Sequence, residues 1–310
     1  MTRKNDTLGT VVLLLCSVIW GAAFAMQELA AKTLGPSTVL FTRSLISMLF
    51  LIGLIMCFDK IREDGRKLFS IKEGRPHFDI SRREWRGGTA SGILLFLASY
   101  VQQLGLSQGS EAGMSGFITS LYMVFVPIFG VFLGKKITKK AAFTVAIALL
   151  GFYFISVTDG ATLVKSDLFI LLCAIIFSGQ ILAVDKFSEG CDGVRYSFVQ
   201  FFVCTILSAP LTFIAEKPTF GAVWDMILPL LFLGILSGGV AYTLQIIGQQ
   251  LMTSPTVAGV LMSLENVFAL LTSLIMFPSF TVSLRQGIGC VIVCAAVLFS
   301  QIPTKLKKGS

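Results

Sequence analysis

Residues 116–125 read GFITSLYMVF, and residues 259–268 read GVLMSLENVF. The two stretches share Gly, Ser, Leu and Phe at equivalent positions, with hydrophobic residues conserved in kind at several positions between them. Two further matches occur in the same order, 15–20 with 172–177 and 100–103 with 242–245. Self-similarity in a constant order indicates an internal repeat, so we predict that the chain is a duplication.

The composition indicates that the duplicated unit lies in a membrane. Of the 310 residues, 55% are hydrophobic and only 14% are charged, and the mean hydropathy is +0.83. Soluble domains are typically about 45–50% apolar and about 25% charged. The composition therefore argues against a water-soluble enzyme, a disordered protein and a secreted disulfide scaffold.

Long apolar runs predict the transmembrane helices, because a helix needs about 20 mostly apolar residues to cross the bilayer. Ten such runs lie between polar breaks, approximately at 8–27, 38–58, 88–107, 111–134, 141–158, 166–185, 196–215, 226–247, 255–277 and 284–302. The predicted fold is an all-α membrane protein with ten transmembrane helices.

The matched stretches divide these helices into two groups of five, in residues 1–158 and 159–310. Because five is an odd number, the second group enters the membrane with the opposite orientation. Inverted repeats of this kind recur in secondary transporters, where the substrate binds near the bilayer midplane between the halves. The sequence therefore predicts two inverted five-helix repeats.

Basic residues predict the orientation of the chain in the membrane. With the N-terminus in the cytoplasm, 20 Lys and Arg lie on the cytoplasmic side and 4 on the other, while Arg43 lies within a helix. We therefore expect a protein of the cell membrane with both termini and the polar loop 59–87 in the cytoplasm. The net charge of +8 reflects this topology. Six acidic residues are mixed into the basic loop, so nucleic acid is not an expected partner.

Several short motifs carry a family resemblance. They are Trp20-Gly21, Phe41-Thr42-Arg43, Tyr100 with Gln103, Ser120-Leu121, VFVP at 124–127, Ser263-Leu264-Glu265 and VFA at 267–269. In their order, spacing and duplication, these motifs resemble the EamA-type domains of the drug/metabolite transporter superfamily. The resemblance covers nearly the whole chain outside the loop 59–87. It implies a transporter that exports amino acids or related metabolites, or drug-like compounds, from the cytoplasm of a prokaryote.

Glu265 is the most informative polar residue within the predicted membrane core. It lies near the middle of the ninth predicted helix, and its counterpart in the first repeat is Tyr122. Ionisable residues inside a membrane are costly and commonly mark a transport pathway. Glu265 is therefore a candidate proton-binding or cation-binding group. The alternative is a structural glutamate that is hydrogen-bonded to a neighbouring helix.

Arg43 is the second charged candidate, near the outer end of the second predicted helix. It is a candidate for contacting an anionic substrate or for gating the cavity together with Glu28. The simpler alternative is structural: the long side chain reaches the membrane surface or forms an ion pair with Glu28.

Tyrosine and glutamine residues recur together within the predicted helices. Gln103, Gln180 and Gln245 lie inside apolar runs, and Tyr100 and Tyr242 precede two of them by three residues. Residues at i and i+3 share one helix face, so each Tyr–Gln pair offers a ring and an amide in one direction. These residues predict a cavity for a zwitterionic or polar-aromatic metabolite, with interhelical hydrogen bonding as the alternative.

Trp20 and Ser120 complete the candidate site. Trp20 lies in the middle of the first predicted helix, away from the membrane interfaces where tryptophan concentrates. It is a candidate to cover the substrate or to offer a cation–π surface, with ordinary packing as the alternative. Ser120 lies in a stretch of small residues that also suits close helix contact.

These residues together predict a secondary transporter, not an enzyme, that works as a monomer by alternating access. Its predicted substrate-binding residues are Trp20, Tyr100, Gln103, Ser120, Tyr122, Gln180, Tyr242, Gln245 and Glu265. The expected partners are a small-molecule substrate, the lipid bilayer and, for coupling, protons. No cofactor or metal is expected, because there is no nucleotide-binding motif, no C-x-x-C pair and a single histidine. The alternatives are an importer or facilitator of a cationic nutrient that uses Glu265 and aromatic rings, and a membrane scaffold or sensor.

Overall fold

The computed structural model describes residues 5–63, 78–110, 112–134, 137–156, 164–276 and 282–301. Every regular element in these ranges is helical. In chain order the α-helices are α1 (Asp6–Ala31), α2 (Pro36–Glu63), α3 (Arg82–Ser107), α4 (Ala112–Ser120), α5 (Tyr122–Phe132), α6 (Lys139–Ser156), α7 (Asp167–Phe187), α8 (Gly193–Pro210), α9 (Phe220–Asp225), α10 (Ile227–Leu231), α11 (Tyr242–Leu251), α12 (Pro255–Met262), α13 (Glu265–Met276) and α14 (Leu284–Gln301). Two π-helical segments, Leu211–Glu216 and Phe232–Ala241, extend α8 and join α10 to α11.

Eight helical stretches among the described residues are long and apolar enough to cross a membrane. They are Asp6–Ala31, Pro36–Ile61, Arg82–Ser107, Gly113–Phe132, Asp167–Phe187, Gly193–Glu216, Ile227–Leu251 and Pro255–Thr272. A shorter apolar helix, Leu284–Ser300, lies at the last predicted span. The fifth predicted span, 141–158, corresponds to α6 and ends outside the described residues. The all-helical, multi-pass membrane fold is confirmed, and the count of ten spans stays a prediction.

The predicted polar loop 59–87 is partly helical. α2 continues to Glu63, and α3 begins at Arg82. A capping box explains this start: the Ser81 hydroxyl accepts from the Glu84 N–H at 3.3 Å, and Glu84 Oε2 accepts from the Ser81 N–H at 2.7 Å. The central part of the predicted loop, 64–77, lies outside the described residues.

The fourth and ninth predicted helices are each interrupted at an equivalent position. The first break lies at Leu121, between α4 and α5, and the second at Ser263 and Leu264, between α12 and α13. At each break a serine hydroxyl, that of Ser120 or Ser263, donates to the carbonyl three residues earlier at 2.8 Å. Such bonds compete with the regular helical pattern, so the shared serine makes the same local contact at both breaks.

Contacts between helices occur in matched pairs. α1 packs against α11 and α13, and α7, at the corresponding position of the second half, packs against α3 and α5. α2 packs against the π-helical segment Phe232–Ala241, and α8 packs against α3. α2 also packs against α8, and α6 against α14, which joins equivalent helices of the two halves. Two related halves that share a central interface produce this pattern.

Two carboxylates at opposite ends of the α2–α8 pair make related contacts. At one end, Asp59 Oδ1 lies 2.5 Å from Nη2 of Arg195, and both side chains are buried. At the other end, Glu216 Oε2 accepts from the backbone N–H of Thr38 at 2.8 Å and from its hydroxyl at 2.6 Å. The offset that aligns the first helices of the two halves also relates Asp59 to Glu216 and Thr38 to Arg195. The pair is therefore tied at both ends by contacts that the repeat relates.

In a second pair of contacts, the first residue of one helix is hydrogen-bonded to the connection between two other helices. The carboxylate of Asp6, the first residue of α1, accepts from the N–H of Thr253 at 2.7 Å and from its hydroxyl at 2.9 Å. The carboxylate of Asp167, the first residue of α7, accepts from the hydroxyl of Ser110 at 2.5 Å. Thr253 and Ser110 lie in the α11–α12 and α3–α4 connections, at equivalent positions.

These contacts define two ends of the helical bundle. The α1–α2 and α7–α8 connections are short, so the Asp6 contact lies at the same end as Asp59, which we call the Asp59 face. For the same reason the Asp167 contact lies at the end of Glu216, which we call the Glu216 face. Each face therefore carries one contact of each kind.

Candidate functional site

A central cavity lies between helices of both halves. Its aromatic lining consists of Trp20, Phe24, Tyr122, Phe177 and Tyr242. Its polar lining consists of Gln27, Arg43, Gln102, Thr119, Gln180, Ser237, Gln245 and Glu265. Apolar pockets with a few convergent polar groups are the usual form of a small-molecule site. This cavity is therefore the candidate functional site.

Both halves line the cavity with equivalent residues. Trp20 of α1 corresponds to Phe177 of α7, and Tyr122 of α5 corresponds to Glu265 of α13. α5 and α13 begin at these last two residues, so both helix breaks lie at the cavity. Discontinuous helices at the interface between repeats form the substrate sites of many secondary transporters.

Tyr122 and Glu265 contact each other inside the cavity. The Tyr122 hydroxyl donates to Oε1 of Glu265 at 3.4 Å, and the two residues are 4% and 5% exposed. An O–H···O bond is usually about 2.7–2.8 Å long, so this contact is weak. Among the described residues the carboxyl has no other hydrogen-bond partner, which leaves it available to a proton or to a cationic ligand group.

Arg43 brings a positive charge to the same cavity. It lies two turns into α2, is 7% exposed, and donates from Nη1 to Oε1 of Gln27 at 3.1 Å. Within the described ranges, no carboxylate lies at ion-pair distance from its guanidinium. Glu28 is the predicted partner, but its Oε1 lies 3.8 Å from Nζ of Lys32 instead. The predicted Arg43–Glu28 pair does not form, because Glu28 lies on the partly exposed side of α1, facing Lys32 one turn along the helix.

Neighbouring glutamines on α3 have different roles. Nε2 of Gln103 donates to the backbone carbonyl of Gln27 at 3.2 Å and so ties α3 to α1. Gln102 lines the cavity, and its Nε2 donates to Oγ1 of Thr119 at 3.1 Å. Gln102 therefore lines the cavity, whereas Gln103 contacts the backbone of Gln27, whose side chain binds Arg43.

Gln180 and Gln245 form a reciprocal amide pair between α7 and α11. Nε2 of Gln245 donates to Oε1 of Gln180 at 3.1 Å, and Nε2 of Gln180 donates to Oε1 of Gln245 at 3.4 Å. Both side chains are buried and both line the cavity. Cavity lining and interhelical hydrogen bonding, the two interpretations of these residues, therefore coexist.

Trp20 presents an unused donor at the cavity. Its ring stands edge-on to that of Tyr242, with 4.8 Å between the ring centroids. Its Nε1 is buried and has no hydrogen-bond partner in the described part of the chain. Buried donors are normally paired, so this N–H is available to an acceptor on a ligand.

Six of the nine predicted substrate-binding residues line the cavity, namely Trp20, Tyr122, Gln180, Tyr242, Gln245 and Glu265. Tyr100, Gln103 and Ser120 do not. The Tyr100 ring stacks on Phe96, with 6.1 Å between centroids, and the hydroxyl of Ser120 bonds to the backbone of its own helix.

The π-helical segment Phe232–Ala241 directly precedes Tyr242 on the way into α11. A π-helix has wider turns than an α-helix, so it rotates the residues that follow it. α3 is a regular α-helix over the corresponding stretch. Tyr242 and Gln245 line the cavity, whereas Tyr100 and Gln103 on α3 do not.

The sequence patterns did not single out Gln27, Gln102, Thr119 and Ser237 among the polar lining residues. The predicted span 8–27 places Gln27 at a helix end, whereas α1 continues to Ala31 and carries Gln27 inside the bundle. A glutamine within an apolar run is the signal that singled out Gln103. The same signal applies to Gln27 and Gln102.

The side chains that line the cavity are suited to binding a small molecule. The cavity offers one guanidinium, one carboxyl, several amides and several aromatic rings. No group of three or more His, Cys, Asp or Glu in the described ranges is arranged to hold a metal ion. A small organic molecule with charged or polar groups matches these side chains.

Comparisons with known proteins agree with this fold. A family model described as the EamA-like transporter family matches the chain twice, over residues 7–157 and 164–301. An uncharacterized transporter of Archaeoglobus fulgidus is 29% identical over 289 residues, which cover 93% of this chain and 84% of that protein. A solved crystal structure matches 97% of this chain and 97% of its own with a TM-score of 0.68 at 17% identity, which shows a shared fold. The chain belongs to the EamA-like transporter family.

Proposed function

We propose that the protein is a secondary transporter that moves a small organic metabolite by alternating access. In this proposal, ten transmembrane helices form two inverted repeats, residues 1–158 and 159–310, and the cavity between them holds the substrate. The contact between Tyr122 and Glu265 carries the proposal, because equivalent residues of the two repeats meet there in a buried cavity. The interface between inverted repeats is where such transporters bind substrate.

The contacts at the two faces support alternating access. Asp59–Arg195 ties one end of the α2–α8 pair, and the related Glu216–Thr38 contact ties the other. Opening one face while the other stays closed exposes the cavity to one side at a time. The repeat relates the two sets of contacts to each other. When each repeat adopts the conformation that the other had, the open face closes and the closed face opens.

The proposed orientation in the membrane rests on the distribution of basic residues. The proposed direction of transport rests on the family. The Asp59 face and both termini lie in the cytoplasm of the cell membrane in this proposal, since basic residues concentrate there. The substrate is an amino acid or a related compound, the direction is export, and the protein acts as a monomer.

Transport by the purified protein in proteoliposomes tests the proposal. Vesicles loaded with a defined mixture of amino acids and related metabolites are diluted, and efflux of each compound is followed by mass spectrometry. We expect saturable efflux of at least one class of compound, reduced in Glu265→Gln and retained in Glu189→Gln, which alters an exposed turn. Failure to move any compound under any imposed gradient would support a scaffold or sensor instead.

A further inference from the structure

Arg43 has hydrogen-bonding capacity that the described structure does not use. A guanidinium carries five N–H donors and stays charged at every physiological pH. One of them, on Nη1, reaches Gln27 at 3.1 Å, and no acid within the described ranges neutralises the charge. The residue is 7% exposed and lines the central cavity. A charge buried in this way is costly unless a counter-charge or further hydrogen bonds accompany it.

We propose that Arg43 binds the carboxylate of the transported substrate, and that Gln27 and Gln103 hold its guanidinium in place. This inference rests on the proposed function and names the substrate's chemical class. The planar guanidinium fork matches a carboxylate with two parallel hydrogen bonds, which makes it a specificity element and more than a general positive charge.

A chain of hydrogen bonds positions the guanidinium. Gln103 of α3 donates to the backbone carbonyl of Gln27 at 3.2 Å, and the Gln27 side chain accepts from Arg43. α1, α2 and α3 therefore meet at this point, and the guanidinium is oriented before any ligand arrives. Because the Gln27 bond uses Nη1, Nη2 and Nε remain for the ligand.

The alternatives for Arg43 fit the structure less well. A side chain that reaches the membrane surface would be exposed, whereas Arg43 is buried. The ion pair with Glu28 is replaced by the Glu28–Lys32 pair. A dedicated site for a cationic nutrient would place the substrate beside a fixed positive charge in the same cavity, which repels it.

The other end of the substrate meets different groups. Glu265 lines the same cavity without contacting Arg43 and suits a cationic or hydrogen-bond-donating group. The rings of Trp20, Phe177 and Tyr242 suit an apolar or aromatic body. These features define a set of four probes that differ only in their charged groups: 3-phenylpropionate, phenethylamine, phenylalanine and phenylalaninamide.

Ligand-induced stabilisation of the purified full chain tests the role of Arg43. Binding to the folded state raises the apparent melting temperature by mass action. We expect 3-phenylpropionate and phenylalanine to stabilise the wild-type protein more than phenethylamine and phenylalaninamide do. Loss of a charge-assisted bond should weaken binding of the two carboxylates about 10–100-fold in Arg43→Gln. Arg43→Lys, which keeps the charge and loses the fork, should weaken it less.

Two controls separate positioning from folding. Gln27→Leu removes the acceptor that orients Arg43 and should weaken carboxylate binding more than it weakens phenethylamine binding, a selectivity that a general folding defect would not produce. Arg285→Gln removes an arginine that packs on Tyr153 outside the cavity, and it should bind all four probes as the wild type does.

The outcomes distinguish this inference from the proposed function. Equal carboxylate binding by wild type and Arg43→Gln overturns the inference, as does stabilisation by the two amines alone or by none of the four probes. If carboxylate binding depends on Arg43 but proteoliposomes transport nothing, the proposed function fails, while Arg43 is still shown to be the carboxylate-binding group of the cavity. If an amine is transported independently of Arg43, the proposed function stands and the inference fails.

Discussion

The hydroxyl of Tyr122 donates to Oε1 of Glu265 across 3.4 Å, and the two residues hold the same position in the two halves of the chain. Positions related by a two-fold axis are separated by twice their distance from it, so equivalent residues that touch lie beside the axis. The centre of the cavity is thus chemically asymmetric, with a phenol from one repeat and a carboxyl from the other. Within the part of the chain that the structure describes, Glu265 is the one acidic residue that lines the cavity.

This arrangement predicts a specific effect of removing the acid. Glutamine keeps the shape of Glu265 but has no proton to release, so we expect transport by Glu265→Gln to lose its response to a pH gradient. The measurement compares flux of an accepted substrate in proteoliposomes with and without an imposed gradient. Glu189→Gln should respond as the wild type does. A gradient response that persists in Glu265→Gln would show that protons do not couple through this residue.

The buried ion pair at the Asp59 face predicts a large effect on stability. Removing one partner of such a pair costs about 3–5 kcal/mol, because the other charge stays buried. Asp192, 3.2 Å from Nη1 of Arg195, offsets part of this cost in Asp59→Ala. We expect a clear fall in the apparent melting temperature of Asp59→Ala in detergent.

Two comparisons show whether the pair itself is responsible. Asp225→Ala alters an exposed aspartate and should leave the melting temperature close to that of the wild type. The double variant Asp59→Ala with Arg195→Ala should be more stable than the two single effects predict when added, because the uncompensated charge is gone. Strict additivity would argue that the two residues are not coupled.

The amide pair predicts a compensating double substitution. Gln245→Leu leaves the buried amide of Gln180 without its partner, which should cost about 1–3 kcal/mol of stability. Replacing both glutamines with leucine removes the unsatisfied group, so stability should recover while substrate binding is lost. Thermal unfolding and probe binding of the wild type, Gln245→Leu and the double variant measure this. A double variant that binds substrate normally would reduce the pair to a packing contact.

Much of the fold follows from local sequence properties. Long apolar runs predict helices because the bilayer leaves the backbone no other way to satisfy its hydrogen bonds. The alignment of 116–125 with 259–268 pairs Tyr122 with Glu265, and the structure brings these two residues into contact. The two residues that the repeat aligns are therefore the two that meet at the centre of the cavity.

The remaining details depend on helix rotation and on distant contacts. Gln102 and Gln103 are adjacent, and only the packing of α3 decides which of them lines the cavity. The π-helical segment Phe232–Ala241 itself has no signal in residue periodicity. The Asp59–Arg195 pair joins residues 136 positions apart, a separation that propensity and hydropathy do not address.

Side-specific labelling of a cavity residue shows whether the cavity opens to one side of the membrane at a time. Ser237 lines the cavity and is 4% exposed. Ser237→Cys is placed in a background in which the cysteines that are not buried, Cys57, Cys191, Cys290 and Cys294, are replaced by serine. A membrane-impermeant maleimide is then added to either side of oriented vesicles.

The two faces are opened in turn by Asp59→Ala and Glu216→Ala, which remove related contacts at opposite ends of the α2–α8 pair. We expect Ser237→Cys to react faster from the Asp59 face in the first variant and faster from the Glu216 face in the second. Reaction from the same side in both variants, or from both sides at once in either, would contradict alternating access.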